Sequence, residues 1–152
     1  MIAVKPTHPR LEAVQRLIQE LDQYQSSLYP AESNHFDSIE TLELPSVYFV
    51  GAFDGDDLVG CGAVKQMPGG YGEIKRMYVA PEARGQGVGK LILRALEDFL
   101  VQAGISIARL ETGIYQDAAI QLYTKLGYQP IPPFGDYQPD PLSIFMEKRF
   151  DA

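Results

Sequence analysis

The chain has 152 residues, of which 45% are apolar and 22% charged, a composition typical of a folded globular protein. Its net charge of −7 argues against nucleic acid as a general partner, and its single cysteine excludes an internal disulfide. No apolar run approaches the roughly 20 residues that a membrane-spanning helix needs. We therefore expect one domain over residues 1–152 of a soluble, cytoplasmic protein with no membrane partner. The sequence allows a homodimer but does not fix the oligomeric state.

The first half of the chain predicts one amphipathic helix followed by an antiparallel meander of strands. A short strand is expected at residues 2–4. Apolar residues then recur at helical spacing, so a helix is expected from Pro9 to about Ser26. An acidic, irregular segment follows, with a short helix near residues 38–42. Turn residues then separate three expected strands, which are 47–53, 58–67 and 71–79.

The second half contains the strongest helical pattern, from Val88 to Leu100, with Gly104 placed to end the helix. A strand at 105–112 and a short helix at 119–126 are expected next. Two short strands, at 128–130 and 142–148, complete the chain. The order of these elements predicts an α/β (mixed α+β) fold, with a mixed sheet and helices on its faces.

A glycine-rich segment precedes the long helix and reads Arg84-Gly85-Gln86-Gly87-Val88-Gly89-Lys90. Its alternate glycines leave N–H groups accessible at a helix N-terminus, where the helix dipole favours anions. Arg84 and Lys90 would each oppose that dipole by about 0.3–1 kcal/mol unless an anion is bound. Five basic side chains lie between Lys75 and Arg94 against one acidic side chain. Together these features favour a small phosphate-bearing ligand, with a solvated surface cluster as the alternative for the charge.

Three phosphate-binding patterns can be compared with this segment. The P-loop pattern fails twice, because Arg84 stands at its first glycine and Leu91 at its hydroxyl position. The dinucleotide pattern fails because its third glycine would fall on Lys90 or Ile92. The pattern R/Q-x-x-G-x-G/A is satisfied by Arg84, Gly87 and Gly89.

With its surroundings, this match becomes specific. The run GEIKRMYVAPEARGQGVGKLIL, followed later by AAIQLYTKLGY, resembles the GNAT superfamily of N-acetyltransferases. The resemblance implies a central, mostly antiparallel mixed sheet that is splayed at its middle. It also implies acetyl-CoA as co-substrate, no metal, and transfer of the acetyl group to a primary amine. The segments YPAESNHF and PFGDYQPDPLSIFMEK are similar to those of a bacterial, small-molecule-type subgroup.

The resemblance also implies a coenzyme site. Main-chain N–H groups from Gly85 to Lys90 would hold the pyrophosphate. The pantetheine arm would lie along the strand ending at Val79, where the sheet would splay at a bulge. Gln116 would contact the pantetheine amides, although many members have asparagine there. The coenzyme residues expected on this basis are Met77, Tyr78, Val79, Arg84, Gly85, Gln86, Gly87, Val88, Gly89, Lys90 and Gln116.

Two residues are expected to be catalytic. Glu73 lies eleven residues before Arg84. The resemblance implies a catalytic role for Glu73, because the histone-modifying members of the superfamily place their catalytic glutamate at this spacing. The alternative is a solvent-facing strand glutamate paired with Lys75. Tyr123 lies in the L-Y-x-x-x-G-Y motif, where the resemblance implies that it protonates the departing thiolate; the alternative is a core tyrosine. The N–H of Val79 would polarise the thioester oxygen.

Other reactive side chains have simpler expectations. Cys61 lies in an apolar strand and is expected to be a buried, inert thiol rather than a covalent acetyl carrier. The sequence contains no histidine–cysteine cluster for zinc. The resemblance places the acceptor site in the segment after the first helix and in the last hairpin. Glu32, His35 and Tyr137 are the expected contacts there, with a surface loop histidine as the favoured alternative for His35.

The acceptor segments are acidic and aromatic, which favours a small cationic amine. Three alternatives stay open. The fold could bind acyl-CoA without turnover, it could acetylate a peptide or protein N-terminus, or the glycine loop could bind a nucleotide.

Overall fold

The strands of the computed structural model, which describes residues 1–31 and 37–150, form one sheet. Within the described residues there are seven of them, β1 (Ile2–Pro6), β2 (Val47–Asp54), β3 (Asp57–Met67), β4 (Tyr71–Val79), β5 (Ile107–Gly113), β6 (Gln129–Ile131) and β7 (Ser143–Arg149). Their order across the sheet is β1-β2-β3-β4-β5-β7-β6. The β4–β5 pair is parallel and the other pairs are antiparallel. The predicted mixed, mostly antiparallel sheet is therefore confirmed.

Four α-helices cover the sheet within the described residues, α1 (Glu12–Leu28), α2 (Ile39–Leu42), α3 (Val88–Gln102) and α4 (Asp117–Lys125). One face carries α1 and α2, whose apolar side chains pack with Phe49, Cys61 and Tyr78. The opposite face carries α3, which packs with Val64 and Ile74 and with Tyr123 of α4. Helices on both faces were expected and are confirmed.

The bounds of some elements differ from the prediction. The first helix begins at Glu12 rather than Pro9, because the N–H of Leu11 donates to the carbonyl of His8 at 3.2 Å and closes a turn first. Leu11 and Tyr24, both assigned to the buried stripe, are 49% and 40% exposed. The buried face of α1 is therefore narrower than the spacing suggested. Strand β5 begins two residues later than expected, and α4 begins two residues earlier.

A β-bulge interrupts β4 at Arg76, whose φ is 57°. Cys61 of β3 lies opposite Tyr78, whereas Ala63 lies opposite Lys75, so β4 holds one residue more than β3 over this stretch. An extra residue moves every later side chain to the other face of the sheet. Lys75 therefore lies on the α1 face, and Met77 packs with the core under α3. This shift explains why the charged residues Glu73 and Lys75 stand at positions of the β4 sequence that alternate in step with the apolar residues Met77 and Val79.

The sheet parts beside this bulge. Strand β4 pairs with β5 only from Gly72 to Ile74, opposite Ala108 to Leu110. Beyond that point the carboxyl half of β4 has no pairing with β5, and a gap opens between the strands. The splayed sheet with a bulge that the resemblance implied is thus confirmed.

The Arg76 side chain holds α1 against the bulge. Its Nη1 donates to Asp22 Oδ1 of α1 at 2.5 Å, and its Nη2 donates to the carbonyl of Asp37 at 3.0 Å. The Arg76 side chain is only 6% exposed. Because a left-handed φ is unfavourable for a residue with a Cβ, these contacts must offset a backbone cost of roughly 1–2 kcal/mol.

The left-handed conformation of Arg76 predicts an unusual order of stabilities. Arg76→Ala and Arg76→Gly remove the same contacts, but only glycine adopts a positive φ without strain. We expect the glycine variant to be more stable than the alanine variant by about 1 kcal/mol in urea unfolding. Arg149, a strand arginine whose side chain is 69% exposed, serves as the control. At Arg149 we expect the alanine variant to be more stable than the glycine variant. If alanine were also the more stable replacement at Arg76, the left-handed conformation of Arg76 would be contradicted.

Candidate active site

A groove of about 350 Å³ lies where β4 parts from β5. Its walls come from the end of β4, the glycine loop, the start of α3 and the start of α4, with Leu21 and Tyr24 of α1 on one side. The lining includes all the expected coenzyme residues except Gln86, namely Met77, Tyr78, Val79, Arg84, Gly85, Gly87, Val88, Gly89, Lys90 and Gln116. Gln86 is exposed and lies outside this lining. Ten residues that the motifs singled out thus border one cavity.

The glycine loop presents backbone, not side chains, to this groove. Gly85 and Gly87 have φ values of 83° and 78°, and a Cβ on either would meet nothing within 4 Å. Gly87 is the N-cap of α3 and has no side chain to satisfy the first N–H groups of the helix. Those N–H groups and the positive end of the helix dipole can therefore bind an anion.

Gly89 has a different role in the loop. A Cβ there would lie 3.0 Å from Leu122 Cδ2 of α4. The missing side chain lets α4 approach the first turn of α3 closely. Since Gly89 and Leu122 both line the groove, this approach narrows the groove beside the loop.

The edge of β4 that faces the groove carries main-chain groups turned away from β3. The N–H of Ala80 donates to Val59 of β3 at 2.8 Å, whereas the carbonyl of Val79 accepts Arg84 Nε at 3.0 Å. Successive residues of a strand direct their main-chain groups to opposite neighbours. The groups of Met77 and Val79 therefore face the gap that β5 has left.

Tyr123 lies at the inner end of the groove. A small chamber of about 70 Å³ continues from the groove and shares Met77, Gln116 and Tyr123 with it. The Tyr123 side chain also packs edge-on against Tyr128, with ring centroids 5.8 Å apart. Burial raises the pKa of the Tyr123 phenol, so it remains protonated at neutral pH. Tyr123 therefore packs in the core and also lines the small chamber.

Glu73 is buried, with 4% of its surface exposed, and does not face solvent as its alternative reading supposed. The Tyr137 hydroxyl donates to Glu73 Oε2 at 2.5 Å, and Lys75 Nζ lies 3.5 Å from the same oxygen. Burial and the adjacent carboxylate raise the pKa of Tyr137, which keeps its hydroxyl a donor. The expected pairing with Lys75 is present, although it forms in the protein interior.

Glu73, Lys75 and Tyr137 line a second cavity, of about 500 Å³. Lys75 also lines the small chamber, so the two spaces share this residue. Asp37 is ion-paired with Lys75 at 3.2 Å and with Lys65 at 3.4 Å. Asp136 and Asp140 also lie on the lining, whereas Glu32 and His35 fall outside the described residues.

The two lysines were missed as site residues by sequence reasoning. Lys65 lies opposite Glu73 in the β3–β4 register, and this pairing turns both side chains toward the same cavity. The alternation of Glu73 and Lys75 in the predicted strand 71–79 carried the signal for Lys75. The register that aligns Lys65 with Glu73 became available only with the structure.

Cys61 is fully buried, and burial raises the pKa of its thiol to about 12. Its Sγ donates to the carbonyl of Arg76 at 3.4 Å. A thiol with so high a pKa is almost entirely protonated at neutral pH and is a poor nucleophile. Its environment agrees with the inert role expected for it.

The described ranges 1–31 and 37–150 contain no group of three or more histidine, cysteine, aspartate or glutamate side chains that could hold a metal ion. None of the helices in these ranges has the length and apolar character needed to cross a membrane.

A splayed sheet, an anion-binding glycine loop and an open strand edge define the class of transferases that bind an acyl-CoA between two parted strands. The family model described as acetyltransferase (GNAT) family matches residues 2–128, and the chain belongs to this family. It is an N-acetyltransferase with acetyl-CoA as its co-substrate.

Relatives extend this assignment over the full chain. An IAA acetyltransferase of Azospirillum brasilense is 48% identical over 148 residues, which cover 97% of each chain. The uncharacterised N-acetyltransferase YsnE of Bacillus subtilis is 38% identical over 79% of this chain and 81% of its own. A Klebsiella pneumoniae structure assigned to the acyl-CoA N-acyltransferases superposes with a TM-score of 0.85, at 39% identity and 99% coverage of both chains.

The glycine loop predicts a selective loss of coenzyme binding. Gly87→Ala would strain a left-handed residue and place a methyl group where the ligand approaches, so we expect the KM for acetyl-CoA to rise about tenfold or more. Gly70→Ala is a matched control, because Gly70 has a φ of 83° and open space but lies in the β3–β4 turn. Steady-state kinetics that give both variants the same KM would contradict this role of the loop.

Proposed function

We propose that this enzyme transfers the acetyl group of acetyl-CoA directly to the primary amine of a small molecule within a ternary complex. The observation that carries the proposal is the arrangement of three adjoining spaces. The groove shares Tyr123 with the small chamber, and the chamber shares Lys75 with the second cavity. A thioester reaching inward from the groove would therefore meet an amine entering from the second cavity.

The groove residues would bind the coenzyme through the main chain. The N–H groups from Gly85 to Lys90 would hold the pyrophosphate, and the side chains of Arg84 and Lys90 would add positive charge. The pantetheine arm would pair with the open edge of β4 near Met77 and Val79. Arg84 Nε donates a hydrogen bond to the Val79 carbonyl. The Arg84 side chain would therefore have to turn toward the phosphates when pantetheine binds.

The amine must lose a proton before it attacks. An alkyl amine with a pKa of about 10 is mostly protonated at neutral pH. Glu73 would accept this proton, directly or through one water, and Tyr137 would hold the carboxylate in place by its hydrogen bond. The burial of Glu73 in the second cavity supports this role over that of a surface glutamate.

Transfer would then follow in two steps. The amine nitrogen attacks the thioester carbon, and the new negative charge on oxygen is stabilised by the N–H of Val79. Collapse of this intermediate breaks the C–S bond, the thiolate takes the proton of Tyr123, and the amide nitrogen passes its extra proton through water to the Tyr123 phenolate. The raised pKa of Tyr123 does not forbid this step, because burial would also raise the pKa of a CoA thiol placed beside it.

The acceptor would be a small amine, with Tyr137 as one wall of its site. The four carboxylates of Glu73, Asp37, Asp136 and Asp140 outnumber the two lysines, Lys65 and Lys75, and so favour a cation. The Azospirillum relative, named IAA acetyltransferase, supports a small molecule over a protein substrate. Contacts from Glu32 and His35, a homodimer and a cytoplasmic location stay predictions.

A thiol-release assay tests the proposed activity. The protein is mixed with acetyl-CoA and a panel of amines that includes cationic, neutral and acidic acceptors and a peptide N-terminus. We expect free CoA thiol to appear fastest with small cationic amines. Binding of acetyl-CoA without release across the panel would favour a non-catalytic module, and release with peptides alone would favour a peptide acetyltransferase.

The two proposed catalytic groups predict losses of rate rather than of binding. Tyr123→Phe and Glu73→Gln should each lower kcat roughly 10²-fold with little change in the Kd for acetyl-CoA, since each removes one proton-transfer group. Glu97→Gln is the control, because Glu97 is a buried glutamate that binds Tyr128 and Lys148 instead. It should lower stability and leave kcat unchanged. A normal kcat in either catalytic variant would remove that residue from the mechanism.

A further inference from the structure

The hydroxyl of Tyr29 contacts the segment that joins β5 to α4. Tyr29 follows the last residue of α1 and is 8% exposed. Its hydroxyl oxygen accepts the N–H of Tyr115 at 3.1 Å, and the hydroxyl donates to Gln116 Oε1 at 3.5 Å. The two tyrosine rings also stack, with centroids 5.6 Å apart. One phenol thus contacts two consecutive residues that are 86 and 87 positions away in the sequence.

Gly113 makes room for this hydroxyl. A Cβ on Gly113 would overlap the Tyr29 side chain, so a larger residue could not be accommodated there. The N–H of Gly113 also donates to Gln116 Oε1 at 3.0 Å. Tyr29 and Gly113 therefore converge on the same oxygen of Gln116.

Two donors on Oε1 determine how the Gln116 amide is turned. The oxygen is engaged by the Gly113 N–H and the Tyr29 hydroxyl, so the –NH₂ group is the end left for other partners. Gln116 lines both the groove and the small chamber. Its amide can therefore donate a hydrogen bond to a carbonyl oxygen in the groove.

We propose that Tyr29 is a positioning residue that fixes the Gln116 amide as a donor to a carbonyl oxygen of the pantetheine arm. The inference rests on the proposed function, which places pantetheine in this groove. Burial raises the pKa of Tyr29, so its hydroxyl keeps the proton that it donates to Gln116. Tyr29 acts through Gln116 and takes no part in proton transfer.

Tyr29→Phe isolates the hydroxyl, because it keeps the ring and its stacking on Tyr115. We expect the Kd for CoA, measured by titration calorimetry, to rise about tenfold. The Kd for adenosine 3′,5′-bisphosphate, which lacks the pantetheine arm, should not change. Tyr48→Phe is the control, since the Tyr48 ring stacks on Phe99 at 4.2 Å and lies outside all three cavities. It should leave both affinities as they are.

A double variant tests the route through Gln116. Gln116→Ala should weaken CoA binding by itself, and Tyr29→Phe should then add no further loss. An unchanged CoA affinity in Tyr29→Phe would overturn the inference. So would equal losses for both ligands, or a full effect of Tyr29→Phe in the Gln116→Ala background. Failure of the unmodified protein to bind CoA would instead overturn the proposed function.

Discussion

The bulge at Arg76 and the parting of β4 from β5 after Ile74 constrain the rest of the structure. Two parallel strands that separate leave main-chain groups without partners, and such groups must find a ligand or water. The open edge at Met77 and Val79 is therefore a consequence of the sheet geometry. The bulge also turns Met77 to the opposite face of the sheet from Lys75, so that Met77 lines the groove and Lys75 lines the second cavity.

Two features that lower local stability lie beside the proposed coenzyme site. Arg76 has a left-handed φ and is held by Asp22. The first turn of α3 has no acidic residue and no side-chain cap, although both would stabilise an isolated helix. The diphosphate that we propose to bind there would supply the missing negative charge. The strained residue and the uncapped helix both border the cavities where coenzyme is proposed to lie, as expected for strain retained at a functional site.

How much of this site the sequence predicts depends on how far apart in the sequence the contacting residues lie. The glycine loop and Tyr123 belong to short motifs, so their positions in the groove could be foreseen. The family resemblance likewise implied the bulge in β4. The network around Glu73 could not be foreseen, because it depends on strand register and on a loop tyrosine, Tyr137, 64 positions away. The start of α1 was misplaced because Pro9 suits a helix start, while the turn that delays the helix depends on a single main-chain hydrogen bond.

Hydrogen exchange measured with and without CoA tests the central claim most directly, because the claim concerns main-chain N–H groups. We predict that CoA slows exchange in two stretches, the open edge of β4 from Met77 to Val79 and the loop from Gly85 to Lys90. The turn at Gly69 and Gly70 should exchange at the same rate in both states. Saturating CoA that leaves both stretches unprotected, or protects a different part of the chain, would contradict the account.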